Sequence, residues 1–216
     1  FASRSSRAGG TPTYSLEQLE WAIDEADRAG VSTSAHAHAA EAARRAIEAG
    51  ARTIEHGALL DESVLELMIE RGTYYTPNLY LSEYCLGNGD LFGYTAEHGC
   101  WTERLLPPRT EGFTQAVQKG VAIVFSTDAN SGWVWSGDTA IEFDRRVAAG
   151  QSTKDAIVSA TSRAAEALQI ADIGNLVSGY RADVIAVEGD PLVDINALRR
   201  LLLVMKDGEI YRSPER

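Results

Sequence analysis

The chain has 216 residues, of which 44% are hydrophobic and 24% are charged, and its formal net charge is -11. This length can bury the core of one domain or two. The acidic balance, with no run of Lys and Arg, argues against nucleic acid or an anionic membrane surface as a partner. No apolar run is long enough to cross a bilayer. Cys85 and Cys100 fit neither a metal-binding spacing nor a disulfide framework, so we expect two free thiols.

Helical and strand patterns alternate over the first 150 residues. Helices are predicted over 15–29, 40–49, 61–71, 107–120, 137–149 and 153–169. Strands are predicted over 31–35, 51–56 and 121–128, with a further β-rich segment at 73–81. Such alternation indicates βαβ units and an α/β fold, either a doubly wound parallel sheet or part of a (β/α)8 barrel. No Gly-rich phosphate loop follows a strand, which weakens a nucleotide-binding interpretation.

Two segments depart from this alternation. Residues 82–106 are rich in Gly and aromatic residues without periodicity, which predicts an irregular loop that serves as a lid or as a surface excursion. After residue 170, the runs VIAV and LLLVM lie between turn signals, and KDGE predicts a hairpin. We therefore divide the chain into an α/β part over 1–169 and a small β unit over 170–216.

Three residues with chemically useful side chains stand at the ends of predicted strands. His36 follows the strand at 31–35, and His56 and Asp128 are the last residues of the strands at 51–56 and 121–128. Ligands of parallel α/β folds bind at the carboxyl ends of the strands. Two imidazoles and a carboxylate suit zinc or a similar divalent ion, and an aspartate there can take a proton from water. Each residue alone fits an ordinary structural role, and only their conjunction favours a metal site.

The neighbouring candidates are more ambiguous. If the first strand continues past His36, then His38 points the same way, as a ligand or as a group that faces substrate. Glu55 would point to the opposite face from His56, which favours a structural carboxylate. Trp133 and Trp135 follow Asp128, where they would line an apolar pocket or pack a loop against the sheet.

Three stretches carry a family resemblance: HAHAAEAARRAIEAGARTIEHG, STDAN and GNLVSGYRADVIAVEGDP. In this order they resemble the amidohydrolase superfamily. More narrowly, they are similar to its imidazolonepropionase-like branch, which includes prolidases, Xaa-Arg/Lys carboxypeptidases and ochratoxin-hydrolysing amidases. The resemblance covers nearly the whole chain. It implies the C-terminal half of a (β/α)8 TIM barrel, strands 5–8, over 1–169, and a segment of a small β-sandwich domain over 170–216.

The resemblance also implies roles for individual residues. His36 and His56 match the metal ligands after barrel strands 5 and 6, and Asp128 matches the strand 8 aspartate, a metal ligand and proton shuttle. His38 stands where relatives often have tyrosine, so we expect it to face substrate. The implied cofactor is one or two divalent ions, with zinc favoured. Side chains that would suit an apolar or aromatic acyl group are Tyr80, Trp133 and Trp135.

The sequence departs from the family pattern at its start. The family has a His-x-His pair after strand 1 and, in its binuclear members, a carboxylated lysine after strand 4. Here no lysine precedes Lys119, and the opening FASRSSRAGG resembles the segment just after that lysine. We therefore expect this chain to be the C-terminal half of a (β/α)8 barrel protein about twice as long. The remaining ligands, including the carboxylated lysine, would come from the N-terminal half.

The implied function is metal-dependent hydrolysis of an amide or peptide bond in a dipeptide or N-acyl amino acid, as in prolidases and carboxypeptidases. One alternative is a cyclic amidase of imidazolonepropionase type, ranked lower because the first acidic residue after His36 is Glu41, inside a predicted helix. The other alternative is a non-catalytic half-barrel scaffold. The expected partners are a small-molecule or dipeptide substrate, the N-terminal half of the barrel and further copies in a homo-oligomer. The compartment is left open, with the cytoplasm favoured, because the true N-terminus is expected to lie outside this sequence.

Overall fold

A computed structural model describes residues 12–88, 96–129, 137 and 139–214, and for 96–105 it describes the backbone alone. The helices are α1 (Leu16–Arg28), α2 (Ala40–Ala49), α3 (Glu62–Arg71), α4 (Tyr80–Gly87), α5 (Ala96–Lys119), α6 (Ile141–Ala148), α7 (Thr153–Ala160) and α8 (Ser162–Ala167). The strands are β1 (Ser34–Ala39), β2 (Thr53–Leu59), β3 (Tyr74–Thr76), β4 (Val184–Val187), β5 (Leu201–Lys206) and β6 (Glu209–Arg212). A 3-10 helix covers Ile195–Arg199.

A parallel sheet organises the first part of the chain. Its strands lie in the order β1-β2-β3, with His36 opposite Glu55 and Glu55 opposite Thr76. The segment after α5 adds a single parallel bridge, between Ile123 and Tyr75. Four β segments joined by helices thus lie side by side in chain order, which confirms the α/β class.

The apolar run 121–128 forms much less strand than its sequence predicts. It pairs with β3 through two hydrogen bonds, from Tyr75 N to Ala122 O and from Val124 N to Tyr75 O. The pairing stops there because β3 is only three residues long and ends before Pro77, which has no N–H to donate. The next amide of the run, at Phe125, donates instead to Ser159 O at 3.0 Å.

The predicted helices at 15–29, 40–49 and 61–71 are confirmed, and their ends have local causes. Ser15 and Gln18 form a reciprocal capping box at the start of α1. The Asp61 side chain accepts the Val64 N–H at the start of α3. Both α2 and α3 end at a left-handed glycine, Gly50 and Gly72.

Two sequence predictions about helix boundaries are wrong. The segment 82–106 is not wholly irregular: α4 begins at Tyr80, and α5 begins at Ala96 rather than at residue 107. The pair Pro107–Pro108 suggests a helix start, yet it lies inside α5, where helix-forming residues on both sides outweigh the lost N–H groups. The predicted helix 153–169 is divided into α7 and α8 at Thr161, whose ψ of -100° is not helical.

The main core lies between the parallel sheet and the helices packed on it. Strand β2 contributes Ile54, which is fully buried, and β3 contributes Tyr75. Helices α2, α3 and α5 cover them with apolar side chains, of which the largest fully buried ones are Ile47, Leu65, Met68 and Phe113. The helices therefore hold the sheet rigidly and fix the positions at which its strands end.

An antiparallel sheet of β4, β5 and β6 forms the C-terminal unit, which confirms the two predicted strand runs and the hairpin at Asp207–Gly208. The unit contacts the preceding helices through Asn196 Nδ2, which donates to Asp144 Oδ1 at 3.1 Å. Thr153 Oγ1 likewise donates to Leu192 O. Across the part of the chain that the structure describes, no helix combines the length and the apolar character that a membrane span needs.

Candidate metal and active site

Three imidazoles lie together on β1 and β2, which continue to Ala39 and Leu59, so His36 and His56 lie within the strands and not at their ends as predicted. Strand β1 continues through residue 39, so His36 and His38 project to the same side, as a continuous strand predicts. The His56 ring centroid lies 4.4 Å from that of His36 and 5.1 Å from that of His38. His36 and His38 are 4.9 Å apart by the same measure. The crossover through α2 therefore returns the chain by one strand and brings the three rings into contact.

The His56 ring is partly buried, and its protonation is set by its surroundings. Burial lowers the pKa of His56, while the nearby Asp128 carboxylate and the Asn78 hydrogen bond oppose that shift. The Asn78 amide nitrogen lies 2.9 Å from Nδ1 of His56. The net effect favours the neutral imidazole, which is the form that binds a metal ion.

Unusual backbone conformations occur at two of the candidate ligands. His56 has a φ of 69° and Asp128 a φ of 53°, both in the left-handed region that non-glycine residues rarely adopt. Such conformations cost about 1–3 kcal/mol each, and they cluster at functional sites. Both residues are among those that the sequence analysis singled out, which supports a functional role for this part of the sheet. Asp128 is exposed and lies close enough to His56 to influence its charge.

Gly57, directly after His56, is required by its surroundings. Its φ is 52°, and a Cβ there would lie 2.6 Å from Cε2 of Tyr75 and 2.8 Å from Cδ1 of Leu60. The Tyr75 hydroxyl donates to Gly57 O at 3.0 Å and to His56 O at 3.3 Å. The buried tyrosine of β3 thus holds the backbone of the turn that carries His56.

Four buried polar residues support the site, and the sequence did not single them out. Asn78 is fully buried, and Arg109 donates to its backbone O at 3.0 Å and to its Oδ1 at 3.3 Å. Glu142 and Arg146 form an ion pair whose side chains are both 0% exposed. The i,i+4 spacing of Glu142 and Arg146 was the one available signal, but it ordinarily marks an exposed helix face.

The described residues supply only some of the ligands that a metal ion needs. No group of three or more His, Cys, Asp and Glu side chains within 12–88, 106–129 and 139–214 is arranged to hold a metal ion by itself. The residue types nevertheless fit a divalent ion such as zinc, because neutral imidazole and carboxylate are its common ligands. His36, His56 and Asp128 would hold such an ion together with ligands from elsewhere.

The other sequence candidates have different surroundings. Tyr80 begins α4, where its backbone N–H donates to Glu142 Oε2 at 2.8 Å and its ring contacts Tyr84. Trp133 and Trp135 lie outside the described residues. Glu55 accepts hydrogen bonds from Ser34 Oγ, Thr53 Oγ1 and Thr76 Oγ1, so hydroxyl groups hold its carboxylate in place.

Comparison with known proteins identifies the family. The Amidohydrolase family profile matches residues 7–211. The chain belongs to the amidohydrolase family. It is 34% identical over 208 residues to an ochratoxinase from Aspergillus niger, a match that covers 93% of this chain and 42% of the relative. The chain therefore spans about half the length of the curated relatives that it matches.

Solved structures of three similar proteins show the same fold. A Xaa-Pro dipeptidase with methionine bound in its active site matches with a TM-score of 0.89 and 35% identity, over 96% of this chain and 51% of the other. A prolidase complexed with N-methylphosphonate-L-proline matches at 0.86 and 29% identity, over 93% and 50% of the two chains. The crystal structure of the A. niger ochratoxinase matches at 0.81 and 32% identity, over 93% and 46%. The α/β architecture is thus shared with about half of each neighbour.

Proposed function

We propose that the chain is the C-terminal half of a metal-dependent amidohydrolase that cleaves an amide or peptide bond in a dipeptide or N-acyl amino acid. The observation that carries this proposal is that His36, His56 and Asp128 lie close together near the C-terminal parts of neighbouring β segments. Both His56 and Asp128 also have a left-handed backbone conformation. Likeness to a Xaa-Pro dipeptidase and to a prolidase supports the substrate class.

The barrel assignment rests on the sheet. Its strands are parallel, follow chain order and are covered by helices, as expected for strands 5–8 of a (β/α)8 barrel. Within the described residues, no strand pairs with the outer edge of β1. A groove of about 250 Å³ follows that edge and is lined by Tyr14, Ser34, His36 and Arg45, among others. In this proposal the N-terminal half supplies a strand for the edge and the remaining ligands, while the unit 170–216 belongs to a β-sandwich.

In the mechanism, His36, His56 and Asp128 would hold the divalent ion. When bound, such an ion lowers the pKa of water and polarises the amide carbonyl. Asp128 takes a proton from the attacking water and delivers it to the leaving amine nitrogen as the C–N bond breaks. The exposed position of Asp128 keeps its carboxylate accessible to substrate. His38 and Tyr80, with Trp133 and Trp135, are proposed to contact the substrate, and the protein is proposed to act as a homo-oligomer.

The test uses the intact protein and a library of dipeptides and N-acyl amino acids. Asp128→Asn is the informative variant, because asparagine also tolerates left-handed backbone and so preserves the local conformation. We expect chelator-sensitive hydrolysis by the parent and a loss of at least about 100-fold in kcat for the variant, as for removal of a general base. Equal rates would contradict the assignment of Asp128.

Metal analysis separates this proposal from its alternatives. Bound zinc, manganese or cobalt together with hydrolysis of linear amides supports it. Hydrolysis confined to cyclic amides would instead indicate an enzyme of imidazolonepropionase type. A full-length preparation with neither metal nor amidase activity would indicate a scaffold that completes a barrel without catalysis.

A further inference from the structure

Asn78 connects the candidate ligand His56 to a buried network. It follows β3, the strand next to β2, and its side chain is fully buried. Its amide nitrogen lies 2.9 Å from Nδ1 of His56. With Nδ1 engaged in this way, Nε2 is the ring nitrogen of His56 that remains for an ion.

The buried guanidinium of Arg109 forms hydrogen bonds with Asn78. Arg109, on α5, is only 3% exposed and donates from one terminal nitrogen to both oxygens of Asn78 and to Ser82 Oγ. Its Nε has no hydrogen-bond partner within the described residues. Burying a charged guanidinium costs free energy, and the neutral Asn78 side chain does not neutralise its charge. We therefore expect Arg109 to have a role beyond packing.

The backbone on either side of Asn78 is equally constrained. Arg146 donates to Pro77 O, and the Glu142 carboxylate accepts the N–H groups of Leu79 and Tyr80 at 2.8 to 3.1 Å. Segment 77–80 therefore has little freedom to move. An amide presented from such a segment restrains the ring that it contacts.

The chemistry of an amide suits this position. A primary amide offers a donor and an acceptor, so by rotation of its end it can partner Nδ1 of a neutral imidazole in either tautomer. Groups that hold the second nitrogen of a ligating histidine fix its tautomer and ring orientation, and their loss typically weakens metal binding or activity about 10–100-fold.

We propose that Asn78 is a positioning residue that sets the orientation of the His56 ring, and that Arg109 holds Asn78 in place. The proposal rests on the proposed function, because it takes His56 as a ligand. It adds two residues that act through His56 and do not themselves touch substrate. It also assigns a role to the buried charge of Arg109.

The experiment compares four variants of the intact protein. Asn78→Leu removes donor and acceptor while it keeps the branched shape and the number of side-chain heavy atoms, and Asn78→Asp restores an acceptor for Nδ1–H. Arg109→Met removes the guanidinium. Met68→Ala truncates a fully buried core side chain on α3 and is the control for general destabilisation. Zinc affinity is measured by competition with a chromogenic chelator, and the ring nitrogens of His56 are observed by NMR in metal-free protein.

We expect Asn78→Leu to weaken zinc binding about 10–100-fold and to lower kcat more than it raises KM. In that variant the Nδ1 signal of His56 should shift, because this ring nitrogen loses its hydrogen-bond partner. Arg109→Met should shift both readouts in the same direction, and Asn78→Asp should recover most of the zinc affinity. Met68→Ala should lose thermal stability with zinc affinity and nitrogen signals unchanged.

Unchanged zinc affinity and nitrogen signals in Asn78→Leu would overturn the proposal, as would equal changes in Met68→Ala. If the parent protein binds no zinc at all, the proposed function fails instead. The nitrogen signals of metal-free protein would then still decide whether Asn78 orients His56.

Discussion

Glu142 and Arg146 form a fully buried ion pair of 2.8 Å on α6, one helical turn apart. Arg146 also donates to Val124 O and Ser126 O, and its guanidinium lies 4.7 Å from the centroid of the Phe125 ring. Glu142 accepts the backbone N–H of Leu79. The pair therefore cross-links the segment after β3 to the segment that leads to Asp128.

The first prediction concerns this pair. Arg146→Met leaves a buried carboxylate without its charge partner, so we expect the free energy of unfolding to fall by about 3–5 kcal/mol. Adding Glu142→Leu should cost less than the sum of the single changes, with a coupling of at least about 1 kcal/mol. Urea denaturation of the single and double variants measures both values.

Asp24→Ala is the control, because it breaks the pair between Arg28 and Asp24, whose side chains are 70% and 60% exposed. An exposed pair contributes under about 1 kcal/mol. If Arg146→Met proved no more damaging than Asp24→Ala, the cross-link would not be the structural element that we infer.

The second prediction concerns Gly57. In Gly57→Ala the new methyl group meets the rigid Tyr75 ring, and the left-handed backbone adds its own cost. We expect a loss of about 2–4 kcal/mol, the sum of overpacking and conformational strain. Gly72→Ala is the matched control, since Gly72 has a φ of 68° with nothing within 4 Å of the new Cβ. It should lose only about 1 kcal/mol by thermal denaturation, and equal losses would argue against the close approach of Tyr75.

The third prediction concerns alkaline pH. Burial raises the pKa of the Tyr75 hydroxyl. The unfolded chain therefore loses this proton first, so above about pH 10 the native state binds more protons and stability falls as pH rises. Tyr75→Phe loses the hydrogen bond to Gly57 O and should cost about 1 kcal/mol at pH 8.

Above pH 10 the stability curves of parent and Tyr75→Phe should converge, because only the parent carries the proton-linked loss. Denaturant midpoints between pH 8 and pH 11 test this. Parallel curves across that range would show that the hydroxyl titrates as it does in the unfolded chain.

The fourth prediction concerns Glu55, which three hydroxyls from β2 and the two neighbouring strands hold in place. We expect Glu55→Gln to lower the unfolding free energy by about 1–2 kcal/mol, because hydroxyls bond an ionised acceptor more strongly. Turnover by the intact protein should change less than about tenfold, well below the loss expected for a missing general base. A kcat as low as that of Asp128→Asn would make Glu55 part of the chemistry.

The sequence predicted what local signals determine. The ends of α1 and α3 follow from Ser15, Asp61 and the glycine after each helix, because caps depend on neighbouring residues. The closeness of His36 and His56 on adjacent strands followed from the strand and helix periodicities, although both strands run further than predicted.

The remaining features depend on contacts between distant residues. Glu142 and Arg146 appear in sequence as an ordinary helical pair, and only the packing of α6 against two loops buries them. The run 121–128 has the composition of a strand, but its pairing is set by the short β3. Likewise, the residues around Asn78 and Arg109 in the sequence do not indicate that Asn78 contacts His56 or that Arg109 contacts Asn78.

The left-handed backbone at His56 and Asp128 has a consequence for engineering. Glycine relieves such a conformation, so a search for thermostable variants would rank His56→Gly and Asp128→Gly favourably on backbone grounds. Each change would remove a side chain that we propose to bind the metal ion. A gain in melting temperature from either change should therefore raise suspicion of lost activity, whereas Gln169 and Asp207 have the same backbone conformation outside the proposed site.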